Sequence, residues 1–186
     1  MNLDKVIDER RSVREFSDKK VKWADVLEAV DSARKAPLAG NHCNFKFIII
    51  EDSKKKNKLA EVAEQYWIAD APMIVIVCSD DAPLENIYYD RGKIYARQQA
   101  GAAIENFLLK ITDMGLSCCW VGAFPDEIVK QILKIPNHIH VEAILPVGYA
   151  KFKTKAPKKS SLEKIISWES WGTKKRPTGV KDPRTM

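Results

Sequence analysis

Three arginines and a hydroxyl stand within five residues at Arg10-Arg11-Ser12-Val13-Arg14. A guanidinium stays charged at any working pH and presents its N–H donors in a planar fork, which suits a phosphate or another polar anion. Arg10, Ser12 and Arg14 fall at alternate positions, so an extended backbone aims all three at one side. A solvated charge cluster has the same composition, and the pentapeptide alone leaves both readings open. Three later segments bear on the choice: the turn Gly40-Asn41, the run Trp120-Val121-Gly122-Ala123-Phe124, and Pro157-Lys158-Lys159.

Other chemistries find little support. Cys43, Cys78, Cys118 and Cys119 show no Cys-x-x-Cys spacing, and adjacent Cys118 and Cys119 on a strand point to opposite faces as small packing residues. His138 and His140 share one face of a strand but lack a third ligand at a metal-binding spacing, so no metal is expected. No Ser-His-Asp or Cys-His arrangement offers a nucleophile.

The 186 residues, 45% of them hydrophobic, can bury the core of one domain. No apolar run approaches the roughly 18 residues needed to cross a bilayer, and the N-terminus does not read as a signal peptide. A soluble, cytoplasmic protein is expected. The net charge of +6 and the five lysines between Lys151 and Lys159 would fit nucleic-acid binding. The segment lacks an aromatic-and-basic stacking motif, so the charges fit surface and phosphate contacts better.

Periodicity assigns the elements that must carry these residues. Helices are expected over Leu3 to Arg10 with Asn2 as cap, Lys22 to Ala36, Lys54 to Tyr66, Arg91 to Met114, and from an Asp126 cap to Leu133. The second has its apolar stripe at Trp23, Val26, Leu27, Val30 and Ala33. Strands are expected over Phe45 to Ile50, Pro72 to Cys78 (buried on both faces), Leu116 to Val121, and His140 to Tyr149. Pro37 to Asn44 is a loop favouring positive φ at Gly40-Asn41, Asp80 to Tyr89 a polar connection, and Gly115 a helix C-cap. No Gly-x-Gly-x-x-Gly follows a strand. Periodicity therefore stops at a layered α/β or α+β domain. The tail from Trp168 carries two tryptophans and few aliphatic residues, and a partner subunit is the natural surface for Trp168 and Trp171.

In order and spacing, these segments resemble the nitroreductase family of flavin-dependent oxidoreductases, over Ile7 to about Ile166. Arg10, Ser12 and Arg14 match its Arg-x-Ser-x-Arg/Lys motif, with Arg11 between them. Ala36-Pro37-Leu38-Ala39-Gly40-Asn41-His42-Cys43-Asn44-Phe45 is similar to its Ala-Pro-Ser-Ala-Gly-Asn-x-Gln-Pro-Trp loop. Leu38, Cys43 and Asn44 replace the commoner serine, glutamine and proline. Gly115 to Phe124 follows its Gly-Leu-x-x-x-Trp-x-Gly-x-Phe. Val147-Gly148-Tyr149 with Pro157-Lys158-Lys159 follows its Gly-Tyr and late Pro-x-Arg pattern.

The resemblance implies an α+β fold with a mixed, mainly antiparallel sheet flanked by helices, built as an intertwined homodimer. It implies a domain over 1–166 and an extension over 167–186 packing on the partner. It also implies bound FMN, with Arg10 and Ser12 on the phosphate and ribityl chain and Arg14 on the pyrimidine edge. Pro37, Leu38, Ala39 and Asn41 would come from the other subunit. The strand end Trp120, Val121, Gly122, Ala123 would lie along the ring, and Lys159, or alternatively Lys158, on the phosphate. NADH or NADPH would then reduce the flavin, and a nitroaromatic, a quinone or a similar small oxidant would take the hydride in a ping-pong cycle. A specialised flavin reaction such as dehalogenation or dehydrogenation, a non-catalytic flavin store, and a small basic nucleic-acid-binding protein are the alternatives. Tyr88, Tyr89 and Tyr95 stand either as pocket lining or as ordinary packing.

Overall fold

The apolar run after Pro72 forms the middle of the fold. In the computed structural model, which describes residues 2–175, strand β2 (Met73–Asp80) is buried along almost its whole length. It pairs antiparallel with β1 (Phe45–Ile50) on one side and with β4 (Ile139–Gly148) on the other. The short β3 (Ser117–Cys118) closes the order β1-β2-β4-β3, each pair antiparallel. The class is α+β, as the resemblance implied, and the parallel doubly wound alternative falls away.

Side-chain alternation splits the core in two. Met73, Val75 and Val77 face a cluster with residues of α2 (Trp23–Ala33) and α5 (Asp90–Asp113). Ile74, Ile76 and Cys78 face a second cluster with α3 (Ser53–Val62) and α6 (Asp126–Leu133). Cys118 belongs to the first cluster and Cys119, just past β3, to the second, both buried, so the pair points to opposite sides as expected.

The first helix, α1 (Leu3–Glu9), is capped by Asn2, whose side chain accepts the Lys5 N–H. The long α5 ends at Gly115 (φ +75) with Gly115 N–H on the Thr112 carbonyl and Leu116 N–H on that of Ile111, the paired bonds of a glycine-terminated helix. The turn before β1 has Gly40 and Asn41 at φ +57 and +59.

Five expectations need correction. Residues 80–89 are not a polar connection: Asp80 Oδ1 accepts the Ala82 N–H, Pro83 fits the first turn, and Ala82–Tyr88 is helix α4. The strand expected over Leu116 to Val121 is only two residues long, because the chain leaves the ladder at Cys119 and rejoins it as a single Val121–Ile144 bridge. The helix expected to Ala36 stops at Ala33, since Pro37 disfavours helical backbone before it and tighter turns replace the last bonds. Of its apolar stripe, Trp23 and Leu27 are exposed. The helix expected to Tyr66 stops at Val62, where Glu64 takes φ +52. Asp126 is not the cap of α6; its Oδ1 accepts the Val141 N–H and its Oδ2 meets Lys130.

The chain divides into two compact units, Met1–Thr154 and Lys155–Met186. Within the second, α7 (Leu162–Ile165) precedes a turn closed by Trp168 N–H on the Thr173 carbonyl, and Trp171 is fully exposed. The expected extension over 167–186 lies partly outside the described residues, from 176 on. Among the described residues no helix is long and apolar enough to cross a membrane.

Candidate functional site

Helix α1 delivers the arginines. Its last hydrogen bond runs from Arg10 N–H to the Val6 carbonyl, and the chain then extends. Ser12 forms a parallel bridge to Cys118, with Val13 N–H donating to the Cys118 carbonyl at 3.1 Å. The segment is thus tied to the strand end that carries Trp120 to Ala123. Val13 buries itself with Phe16, Ala71 and Trp67.

Alternation does the rest. The buried thiol of Cys119 is hydrogen-bonded with Ser12 and lies within electrostatic reach of Arg14 and Arg10. Burial raises its pKa and the three neighbours oppose that rise, so at neutral pH it is a thiol in a cationic surrounding. The bridge thus anchors Ser12 beside the Cys118-Cys119 pair, with Arg10 and Arg14 flanking it along the chain. Arg14 lies 5.9 Å over the Trp67 ring. Arg10 Nε sits 3.5 Å from a Glu105 carboxylate on α5. Arg11 turns elsewhere: it donates to the Arg10 carbonyl at 2.7 Å and lines a cavity of about 480 Å³ with Asp8, Glu9 and Lys153.

Beyond Cys119, Val121 exchanges two 3.0 Å backbone bonds with Ile144. Trp120 is exposed, with its ring edge 3.7 Å from where a side chain on Gly101 would begin. A methyl on Gly122 would meet nothing within 4 Å, and its φ is not in the left-handed range. Among the described residues, neither packing nor backbone strain requires glycine there. The Ala123 carbonyl accepts from Gln65 Nε2 at 3.2 Å.

The loop lies along the N-terminal half of α5. Pro37, Leu38 and Ala39 line a cavity of about 310 Å³ with Tyr95 and Gln99. Asn41 N–H donates to the Leu38 carbonyl, and the Tyr88 hydroxyl covers Gly40. Tyr88 and Tyr95 pack edge to face at 5.1 Å, while Tyr89 is exposed. Lys158 and Lys159 belong to the second unit and are exposed. Glu105, Trp67 and Gln99 escaped the sequence reading. Gln99 alone left a trace there, as an amide inside the small-residue stretch Ala96 to Ala103 of α5.

A strand-anchored guanidinium–hydroxyl cluster beside an open glycine, on an antiparallel α+β frame, invites comparison with known proteins. The sequence model of the nitroreductase family matches residues 7–65 and 60–149. The chain belongs to the nitroreductase family. Among its relatives, an Archaeoglobus fulgidus protein provisionally named NADH dehydrogenase/NAD(P)H nitroreductase is 31% identical over 152 residues, covering 79% of this chain and 84% of that one. A Bacillus subtilis protein named NAD(P)H FMN reductase is 24% identical over 161 residues, covering 78% and 64%. The crystal structure of a nitroreductase family protein from Clostridium difficile 630 superposes with a TM-score of 0.82 at 28% identity, over 91% of this chain and 99% of that one. The frame that positions Arg10, Ser12 and Arg14 is thus the nitroreductase fold.

Proposed function

We propose that this protein is an FMN-dependent oxidoreductase of the cytosol that passes a hydride from NADH or NADPH to a nitroaromatic, a quinone or a similar small oxidant in a ping-pong cycle. The observation that carries this reading is the bridge that ties Ser12, flanked by Arg10 and Arg14, to the strand end at Cys118, four residues before a Gly122 whose open face nothing among the described residues explains. The donor set fits a flavin mononucleotide: guanidiniums and a hydroxyl for its phosphate and ribityl chain, and unobstructed backbone at Gly122 and Ala123 for a planar ring. Family membership and the relative named for FMN reduction support the same cofactor.

Bound FMN would supply the hydride-accepting and hydride-donating chemistry. In this reading Arg10 and Ser12 bind the phosphate end. Arg14, held against Trp67, presents positive charge to the pyrimidine edge, where the reduced ring gains negative charge. The N–H of Gly122 or Ala123 orients the ring. Pro37, Leu38, Ala39 and Asn41 complete the site from a second copy of the chain, and the extension over 167–186 packs on that copy. The four unpaired cysteines suit a reducing compartment.

The test is direct. Purified protein is expected to carry a flavin spectrum that NADH or NADPH bleaches and a quinone restores. Arg10→Ala is expected to bind FMN at least ten-fold more weakly while keeping the wild-type far-ultraviolet circular dichroism. A colourless wild-type protein that leaves the fluorescence of added FMN unchanged would overturn the reading.

A further inference from the structure

The loop between α2 and β1 has little regular structure of its own: a single turn at Ala39–Asn41, with two consecutive residues at positive φ. Its shape is imposed from outside, by one buried amide. Gln99, 4% exposed on α5, accepts the Ala39 N–H at its Oε1 (3.0 Å). Its Nε2 donates both to the His42 carbonyl (3.0 Å) and to Asn44 Oδ1. Asn44 is also buried. Its Nδ2 donates to the Asp80 carbonyl at 3.0 Å, and its own carbonyl accepts the Asp80 N–H at 2.8 Å.

A chain of amides therefore runs from α5 through Gln99 and Asn44 to the end of β2, gripping the loop near both of its ends. On the core-facing side of α5 near Gln99 stand Ala96, Ala100, Ala103 and Ile104, all fully buried and apolar. An apolar residue at 99 would match them for packing, but it would take away the side-chain partner of the Ala39 N–H, the His42 carbonyl and Asn44 Oδ1. The amide is placed for the loop rather than for the core. The residues it fixes, Leu38 and Ala39, share their cavity with Gln99 itself.

We infer that the Gln99–Asn44 pair is a positioning device that sets where Pro37, Leu38 and Ala39 lie against the flavin ring, and so tunes flavin affinity and reduction potential. The inference rests on the reading above, in which this loop touches the ring. The pair acts through the backbone it holds.

The experiment compares wild type, Gln99→Leu, Asn44→Leu and the double variant for FMN affinity, midpoint potential and visible circular dichroism of bound flavin. Ile76→Val, which thins the opposite core, serves as a control for stability alone. Gln99→Leu is expected to bind FMN about ten-fold more weakly, one hydrogen bond's worth of free energy, with a shifted potential. The double variant should be no worse than Gln99→Leu, because both substitutions open one clamp. Ile76→Val should leave potential and flavin dichroism unchanged. Should Gln99→Leu not fold, Gln99→Glu carries the test. It keeps the acceptor for Ala39 and loses the donor for His42 and Asn44, and it should fall between wild type and full loss. Wild-type affinity and potential in the position-99 variant would overturn the clamp while leaving the flavin reading intact. A wild type that binds no FMN would overturn both.

Discussion

At the scale of single residues, Arg10 is shared. Its guanidinium faces Glu105 at 3.5 Å, and the carboxylate is half exposed. If Arg10 holds a phosphate, that carboxylate is a competing anion a few ångströms from a dianionic ligand. Removing its charge should therefore help the ligand more than it harms Arg10, since a pair this exposed contributes about 1 kcal/mol at most. Glu105→Gln is expected to bind FMN up to about five-fold more tightly at low ionic strength, with the gain fading toward 0.5 M salt (on the order of one Debye length of 4 Å). Fluorescence titration at several salt concentrations checks this. Weaker binding in the variant would mean that Glu105 holds Arg10 in place. The alternation of Arg10, Ser12 and Arg14 was legible because a strand-like segment has a period of two. Glu105 and Gln99 were not, because each meets its partner across more than fifty residues, and local spacing carries no information about that.

At the scale of elements, β1 was read to the residue and β2 nearly so, because apolar β-branched runs bounded by polar residues leave few alternatives. Helix α4 was missed because its start signal, an aspartate before Ala82-Pro83, was outweighed by the polar residues around it. The same region holds an ion cluster at one end of the sheet. Arg97 on α5 grips both carboxylate oxygens of Asp81 at 2.9 and 3.0 Å and also donates to Ser79 at 2.7 Å and to Glu142. His140 lies 3.3 Å from Asp81. One guanidinium thereby joins the end of β2, the start of α4, and β4. Asp81 and Glu142 are nearly buried, so removing Arg97 leaves two close carboxylates without their cation. Arg97→Leu is expected to cost about 2 kcal/mol, below the 3–5 typical of fully buried pairs because Arg97 itself is partly exposed. Urea denaturation measures it. Pairing the variant with Asp81→Asn should recover part of the loss, whereas a core-packing origin predicts no recovery.

At the scale of the whole molecule, the arginine segment and the Pro37–Asn41 loop are held at different places on α5. The arginine cluster is tied to β3 and to Glu105, whereas the Pro37–Asn41 loop is tied to Gln99, six residues and roughly 9 Å earlier on α5. Leu3 and Ile7 on α1, and Trp23 and Leu27 on α2, are exposed apolar residues of the kind that a second copy covers. If each site takes its arginines from one copy and its loop from the other, damage to the two halves should complement. Gly40→Val breaks the loop half, because its Cβ would lie 2.8 Å from the Tyr88 hydroxyl at a φ of +57. Arg10→Ala breaks the other half. Each variant alone is expected to bind almost no FMN. Unfolded together and refolded in equal amounts, they should form hybrids as about half of all dimers, each with one intact and one doubly damaged site. The mixture should then recover about one quarter of the wild-type flavin, read by absorbance after removal of free FMN, from a particle with twice the 21.1 kDa chain mass. A site built within one chain gives no recovery at any mixing ratio, because every copy then carries its own defect.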